Sequence, residues 1–174
     1  MKHHGLVMLL FVLALLSGCN DTPSKPVTTD DPRLKESLEK ANRYLANDEE
    51  EDIKNYINRH HLNMVETGTG LRYQIVKEGE GSQIQPGQQV TLEYVLYNIM
   101  GDIVYSSDND GIKTFDAGCG DVEKGLDEAV LFLHEGDVAK VIIPSHLGYG
   151  LLGDRNRIPE RATLIYTLNV VKVK

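Results

Sequence analysis

The chain is expected to adopt an α+β fold: a twisted antiparallel β-sheet wrapped around one short helix, preceded by an N-terminal helical arm. Three observations point there. From Thr69 onward, apolar residues alternate in short runs separated by Gly and Pro, the period of half-buried strands. Late in that region, Lys124 to Leu133 instead spaces Leu126, Val130 and Leu133 for a helix. Upstream, residues 32–66 carry apolar side chains at helical intervals.

In chain order, residues 1–18 read as a signal segment. Lys2, His3 and His4 precede an apolar run from Leu6 to Leu16, shorter than the ~20 residues a membrane-spanning helix needs. Leu16-Ser17-Gly18-Cys19 follows, which resembles the signal of bacterial lipoproteins, in which the Cys is acylated. Cys19 is then the expected lipidation site, and the protein is expected in the cell envelope, lipid-anchored at the periplasmic face or the outer membrane. A plain signal peptide with an incidental Cys is the alternative. With Cys19 acylated, Cys119 has no partner and reads as a small residue in a Gly-rich turn. Residues 19–31, rich in Thr, Pro and Asp, read as a tether.

Asp31-Pro32 offers an N-cap and a proline at the first helical position. Leu34, Leu38, Ala41 and Leu45 form one apolar stripe, and Asp48 to Glu51 reads as the start of a second helix carrying Ile53, Tyr56 and Ile57. The domain proper is expected over 69–174. Leu71 to Ile75, Val90 to Leu96, Ile103 to Ser107, Lys113 to Asp116, Val138 to Ile143 and Leu164 to Val170 read as strands.

Composition narrows the function. The 174 residues are 41% hydrophobic and 25% charged, with a net charge of −8 and no long Lys/Arg cluster, which argues against nucleic acid as a partner. His60 and His61 are adjacent and point to different sides of a helix, whereas a metal pair needs i, i+4 spacing, so no metal is expected. Gly148-Tyr149-Gly150-Leu151-Leu152-Gly153 is a literal G-x-G-x-x-G. A dinucleotide site requires a helix directly after it, whereas here Asp154 to Arg157, an Ile-Pro corner and a strand follow. These glycines bend the backbone around Tyr149, and no cofactor is expected.

"PSHLGYG" followed by "RIPERATLIYTLNVVKV" resembles the end of FKBP-type peptidyl-prolyl isomerases. Upstream, "GLRYQIVKEGEG", "PGQQVTLEYVLYNIMGDIVYSS", "FDAGCGDVEKGLDEAV" and "LHEGDVAKVIIP" keep the family's order and spacing. The lipoprotein signal plus helical arm is similar to the gliding-motility-associated FKBP lipoproteins. The resemblance implies isomerisation of X-Pro bonds in proline-containing polypeptides, by a pocket that needs no nucleophile, metal or cofactor. It implies Tyr94 and Tyr149 as the catalytic tyrosines, Tyr149 bonding the substrate backbone through its hydroxyl. Val104, Val122, Glu123, Leu126, Ile158 and Tyr166 would bind substrate, with Leu126 as the floor and the Glu123 backbone N–H meeting a substrate carbonyl.

The chain departs from the family at Val104-Tyr105, where Phe-Asp is usual, and at Lys113, near which a further aromatic is expected. The pocket is therefore expected to be apolar but shallow, without its buried carboxylate, and weakly active. Tyr94, Leu126 and Tyr166 occupy positions that face the core in any case. Asp154 to Arg157 reads as a solvated loop tip, and Asp127-Glu128 and Glu49 to Glu51 as ordinary surface acids. The function expected is a membrane-tethered isomerase assisting folding or assembly of exported proteins; the alternative is a non-catalytic FKBP-like binding module. The oligomeric state is left open.

Overall fold

A computed structural model of the protein describes residues 31–174. The signal segment, Cys19 and the tether to Asp30 lie outside the described residues. Helix α1 runs from Pro32 to Arg59 without a break, where two helices were expected. Residues 46–52, Ala-Asn-Asp-Glu-Glu-Glu-Asp, hold no Gly or Pro to end the first helix, so the acidic run continues it. Asp31 caps the start, accepting the Arg33 N–H at 2.9 Å.

The strands are β1 (Val65–Glu66), β2 (Arg72–Lys77), β3 (Gln89–Tyr97), β4 (Ile103–Ser106), β5 (Lys113–Asp116), β6 (Val138–Ile143) and β7 (Leu164–Val173). They form a seven-stranded antiparallel sheet in the order β1-β2-β6-β7-β3-β4, with β5 also paired to β3. Val65 and Glu66, expected in the arm, instead add this edge strand. Helix α2 (Ser107–Asp110) and a 3₁₀ turn (Ser145–Leu147) were not expected; four- and three-residue helices leave no periodicity to read. Helix α3 (Lys124–Val130) is the one around which the sheet curls. It lies so close to β6 that a Cβ on Gly125 would meet the Ile143 side chain at 2.2 Å.

Residues 42–174 form one compact unit. Its inner core joins Leu92, Tyr94 and Leu96 of β3, Leu126 and Val130 of α3, Val141 and Ile143 of β6, and Tyr166 and Leu168 of β7. A second, smaller cluster lies on the opposite face, where Ile142 and Ile165 meet Ile53 and Tyr56 of α1. Both sides of β6 and β7 are therefore buried, and their sequences read VAKVII and LIYTL instead of strictly alternating. Full burial of a side chain the size of Ile53 contributes roughly 1.5–3 kcal/mol.

Candidate active site

Strands β4 and β5 both pair with β3, β4 with its end and β5 with its beginning, and α2 fills the gap between them. There Ser107 replaces a strand partner with its side chain. Its hydroxyl accepts the Tyr94 N–H and donates to the Tyr94 carbonyl at 3.1 Å. Beside this interruption lies a cavity of about 220 Å³. Strands β3 and β7 supply Tyr94, Leu96 and Tyr166, β4 supplies Tyr105, the end of α2 supplies Asp110 and the start of β5 supplies Lys113. Tyr149 and Asp154 close it from the loop between β6 and β7.

The rings of Tyr94 and Tyr166 stand 5.9 Å apart, tilted by 54°. They share the cavity because β3 and β7 are neighbours, with Tyr94 opposite Leu168 and Leu96 opposite Tyr166. The Lys113 ammonium sits 5.2 Å from the Tyr94 ring centroid, near the position where the resemblance calls for a further aromatic that this chain lacks.

Of the eight residues proposed from sequence for catalysis and substrate binding, Tyr94, Tyr149 and Tyr166 line the cavity. The others do not. Leu126 and Ile158 are buried in the core, and Val104 and Val122 are half-buried against it, so these four support the wall. Glu123, the N-cap residue of α3, receives the Tyr166 hydroxyl on its carboxylate.

The expectation of an apolar pocket is corrected, since the half-buried Asp154 and the exposed Asp110 line the cavity. Tyr105 donates its hydroxyl to Asp154. Asn156 Nδ2 donates to the Tyr105 hydroxyl at 3.1 Å. Asp154 further accepts the N–H groups of Asn156 and Ile158, at 2.9 and 2.8 Å. Arg157 pairs with Asp110 and lies over the Tyr105 ring, 3.8 Å from its centroid. The segment read as a solvated loop tip is thus wired to β4 and α2. The carboxylates of Asp110 and Asp154 come from positions whose pairing depends on a loop conformation, so no local spacing signalled them.

The glycines serve this loop. Gly150 and Gly153 have φ of 60° and 61°. A Cβ on Gly153 would meet the Ile158 carbonyl at 2.1 Å. The Asp154 N–H donates to that same carbonyl at 3.1 Å, closing the turn.

Electrostatics sort the titratable groups. Burial raises the Tyr149 hydroxyl well above its ordinary pKa, and the negative charges of Glu123 and Asp154 push the same way. Burial and Glu123 raise Tyr166 likewise, and burial, then Asp110 and Glu123, raise Tyr94. All three tyrosines stay protonated at neutral pH. Burial alone would push the Asp154 carboxyl up, but the Tyr105 hydroxyl and the Ile158 and Asn156 N–H groups together hold it low. The Ser106 N–H, then Arg157, lower Asp110.

A family model for FKBP-type peptidyl-prolyl cis-trans isomerase matches residues 80–171. The chain is 39% identical over 108 residues to a Neisseria meningitidis serogroup B protein named Probable FKBP-type peptidyl-prolyl cis-trans isomerase FkpA, covering 62% of this chain and 39% of that one. It is 36% identical over 105 residues to an FK506-binding protein of the same organism, covering 60% of this chain and 96% of the relative. The crystal structure of AtFKBP13 superposes with a TM-score of 0.62 at 26% identity, over 65% of this chain and all of that one. The match spans only about two fifths of the first relative but nearly all of the second. With the family model covering more than half of its length, the chain belongs to the FKBP-type peptidyl-prolyl cis-trans isomerase family.

Proposed function

We propose that this protein catalyses cis-trans isomerisation of X-Pro bonds in exported polypeptides while tethered to a cell-envelope membrane through lipidated Cys19. The observation that carries the catalytic part is the convergence of Tyr94, Tyr149 and Tyr166 on one small cavity in a chain of this family.

Rotation about X-Pro must break amide resonance, a barrier of ~18–20 kcal/mol. The planar imide separates charge more than the twisted one does. Walls of aromatic ring and Leu96 solvate the planar form worse than water does, which favours the twisted form. Tyr149, kept protonated by its surroundings, is the group suited to donate to a substrate carbonyl and hold the peptide in place. Each tenfold acceleration requires ~1.4 kcal/mol of preference for the twisted form.

The polar side of the cavity favours a second reading, a non-catalytic binding module. Asp110, Lys113 and Asp154 line it together with the tyrosines, and polar groups solvate a planar imide too. Proline-limited refolding of a test protein separates the two. Wild type should accelerate the slow phase and Tyr149→Phe should do so markedly less; no acceleration by wild type refutes the catalytic reading, and equal acceleration by both refutes the role of Tyr149. Anchoring is tested separately: Cys19→Ala should move the protein from the membrane fraction to the soluble one.

A further inference from the structure

The loop carrying Tyr149, Asp154 and Arg157 enters at Ser145, directly after Pro144, and leaves at Thr163, directly before β7. Both stems converge on one side chain from outside the sheet. Glu49 of α1 accepts the Ser145 N–H on Oε1 at 2.6 Å, the Ser145 hydroxyl on Oε2 at 2.8 Å and the Thr163 hydroxyl on Oε1 at 2.7 Å. Ser145 and Thr163 are each only 6% exposed, so water does not readily replace the carboxylate. Ser145 passes the constraint onward. Its carbonyl accepts the N–H groups of Gly148 and Gly150, the two residues flanking Tyr149, at 3.1 and 2.9 Å. On the exit side, the Arg161 N–H donates to the Gly150 carbonyl at 2.8 Å.

One carboxylate therefore fixes the entry stem, the exit stem and, through Ser145, the backbone on either side of the tyrosine. A charged acceptor is suited to this because it takes three donors on two oxygens, which an amide oxygen alone does not reproduce. The next residue, Glu50, does something different: its carboxylate pairs with the buried Arg72 on β2 at 2.8 Å and accepts from neither Ser145 nor Thr163.

We propose that Glu49 is a positioning residue of the isomerase site: the helical arm staples the two stems of the Tyr149 loop together and so sets how the cavity closes over a prolyl peptide. The role in turnover rests on the isomerase reading above; the staple itself does not.

The test compares Glu49→Ala and Glu49→Gln with Glu50→Ala in the full chain, by amide hydrogen exchange and by kinetics on a short X-Pro peptide. Glu49→Ala should speed exchange of residues 146–162 while β6 and β7 stay protected, and lower kcat/KM about tenfold. Glu49→Gln, which keeps one acceptor oxygen and the side-chain volume, should restore part of both. Glu50→Ala should leave loop exchange unchanged. Loop exchange unaltered in Glu49→Ala, or raised equally throughout the sheet, would overturn the proposal. If wild type shows no isomerase activity, the catalytic reading fails, and the exchange data alone still decide whether the staple exists.

Discussion

The two sides of the cavity are held by different physics. The sheet side, Tyr94, Leu96 and Tyr166, consists of buried side chains on neighbouring strands, packed against α3 and fixed by ladder hydrogen bonds. The loop side, Tyr149, Asp154 and Arg157, has no strand partner and is held by side-chain hydrogen bonds and one ion pair. Apolar packing is insensitive to pH, whereas a polar network is not, so the two halves should fail under different challenges. In a binding site this division is useful: a rigid wall shapes the ligand, and the loop above it can be tuned.

The largest expected effect is on the sheet side. Tyr166 is fully buried, and Tyr166→Ala should lower unfolding stability by about 3–5 kcal/mol in urea titrations, removing a wall of the cavity. A loss below about 1 kcal/mol would mean that the wall is not the rigid half.

On the loop side, Tyr149→Phe removes one hydroxyl. It should reduce kcat/KM by roughly tenfold, since a single donor to substrate contributes on the order of 1–1.5 kcal/mol. The midpoint of urea unfolding should hardly move. A stability loss comparable to that of Tyr166→Ala would erase the distinction between the halves.

The Tyr105–Asp154 pair sharpens the comparison further. A double-mutant cycle with Tyr105→Phe and Asp154→Asn, read by loop hydrogen exchange, should give a coupling of about 1 kcal/mol. Zero coupling would mean that the loop closes without this bond.

Acid should act on the loop side first. The Asp110 and Asp154 carboxyls sit below their ordinary value of 3.8, so the ionised forms favour the folded loop. Their contribution is complete above about pH 5 and is lost as pH falls through 3.8 and below. Loop exchange measured from pH 6 down to pH 3 should rise before the protection of β6 and β7 does. The tyrosines have raised values, so their protonated forms persist past pH 10 and impose no alkaline limit below it. The smallest effect belongs to Arg157→Ala, which removes an ion pair whose arginine is 46% exposed. Its effect on thermal unfolding should be within error.

The same division explains what could be read from the amino acids alone. Leu92, Tyr94, Leu96, Tyr166 and Leu168 announce their burial through a period of two, whereas β6 and the start of β7, buried on both sides, read as short apolar runs. Tyr149 was legible because glycines bracket it and an Ile-Pro corner follows. Asp110, Asp154, Arg157 and Glu49 were not, because the partners that tie them to other elements lie 47, 49, 47 and 96 or more residues away and only the fold brings them together. A carboxylate in a polar run looks the same whether it faces water or three donors. The break expected in α1 failed for a related reason: acids favour a helix start, yet without a breaker they are also compatible with a helix that simply continues.

The most direct measurement is the cis-to-trans relaxation of a short X-Pro peptide in the presence of the wild-type chain and of Tyr149→Phe. Wild type should speed the relaxation in proportion to its concentration, with the variant clearly slower and equally folded. A relaxation rate indistinguishable from the spontaneous one, for a wild-type chain with an intact fold, would contradict a cavity that favours the twisted imide.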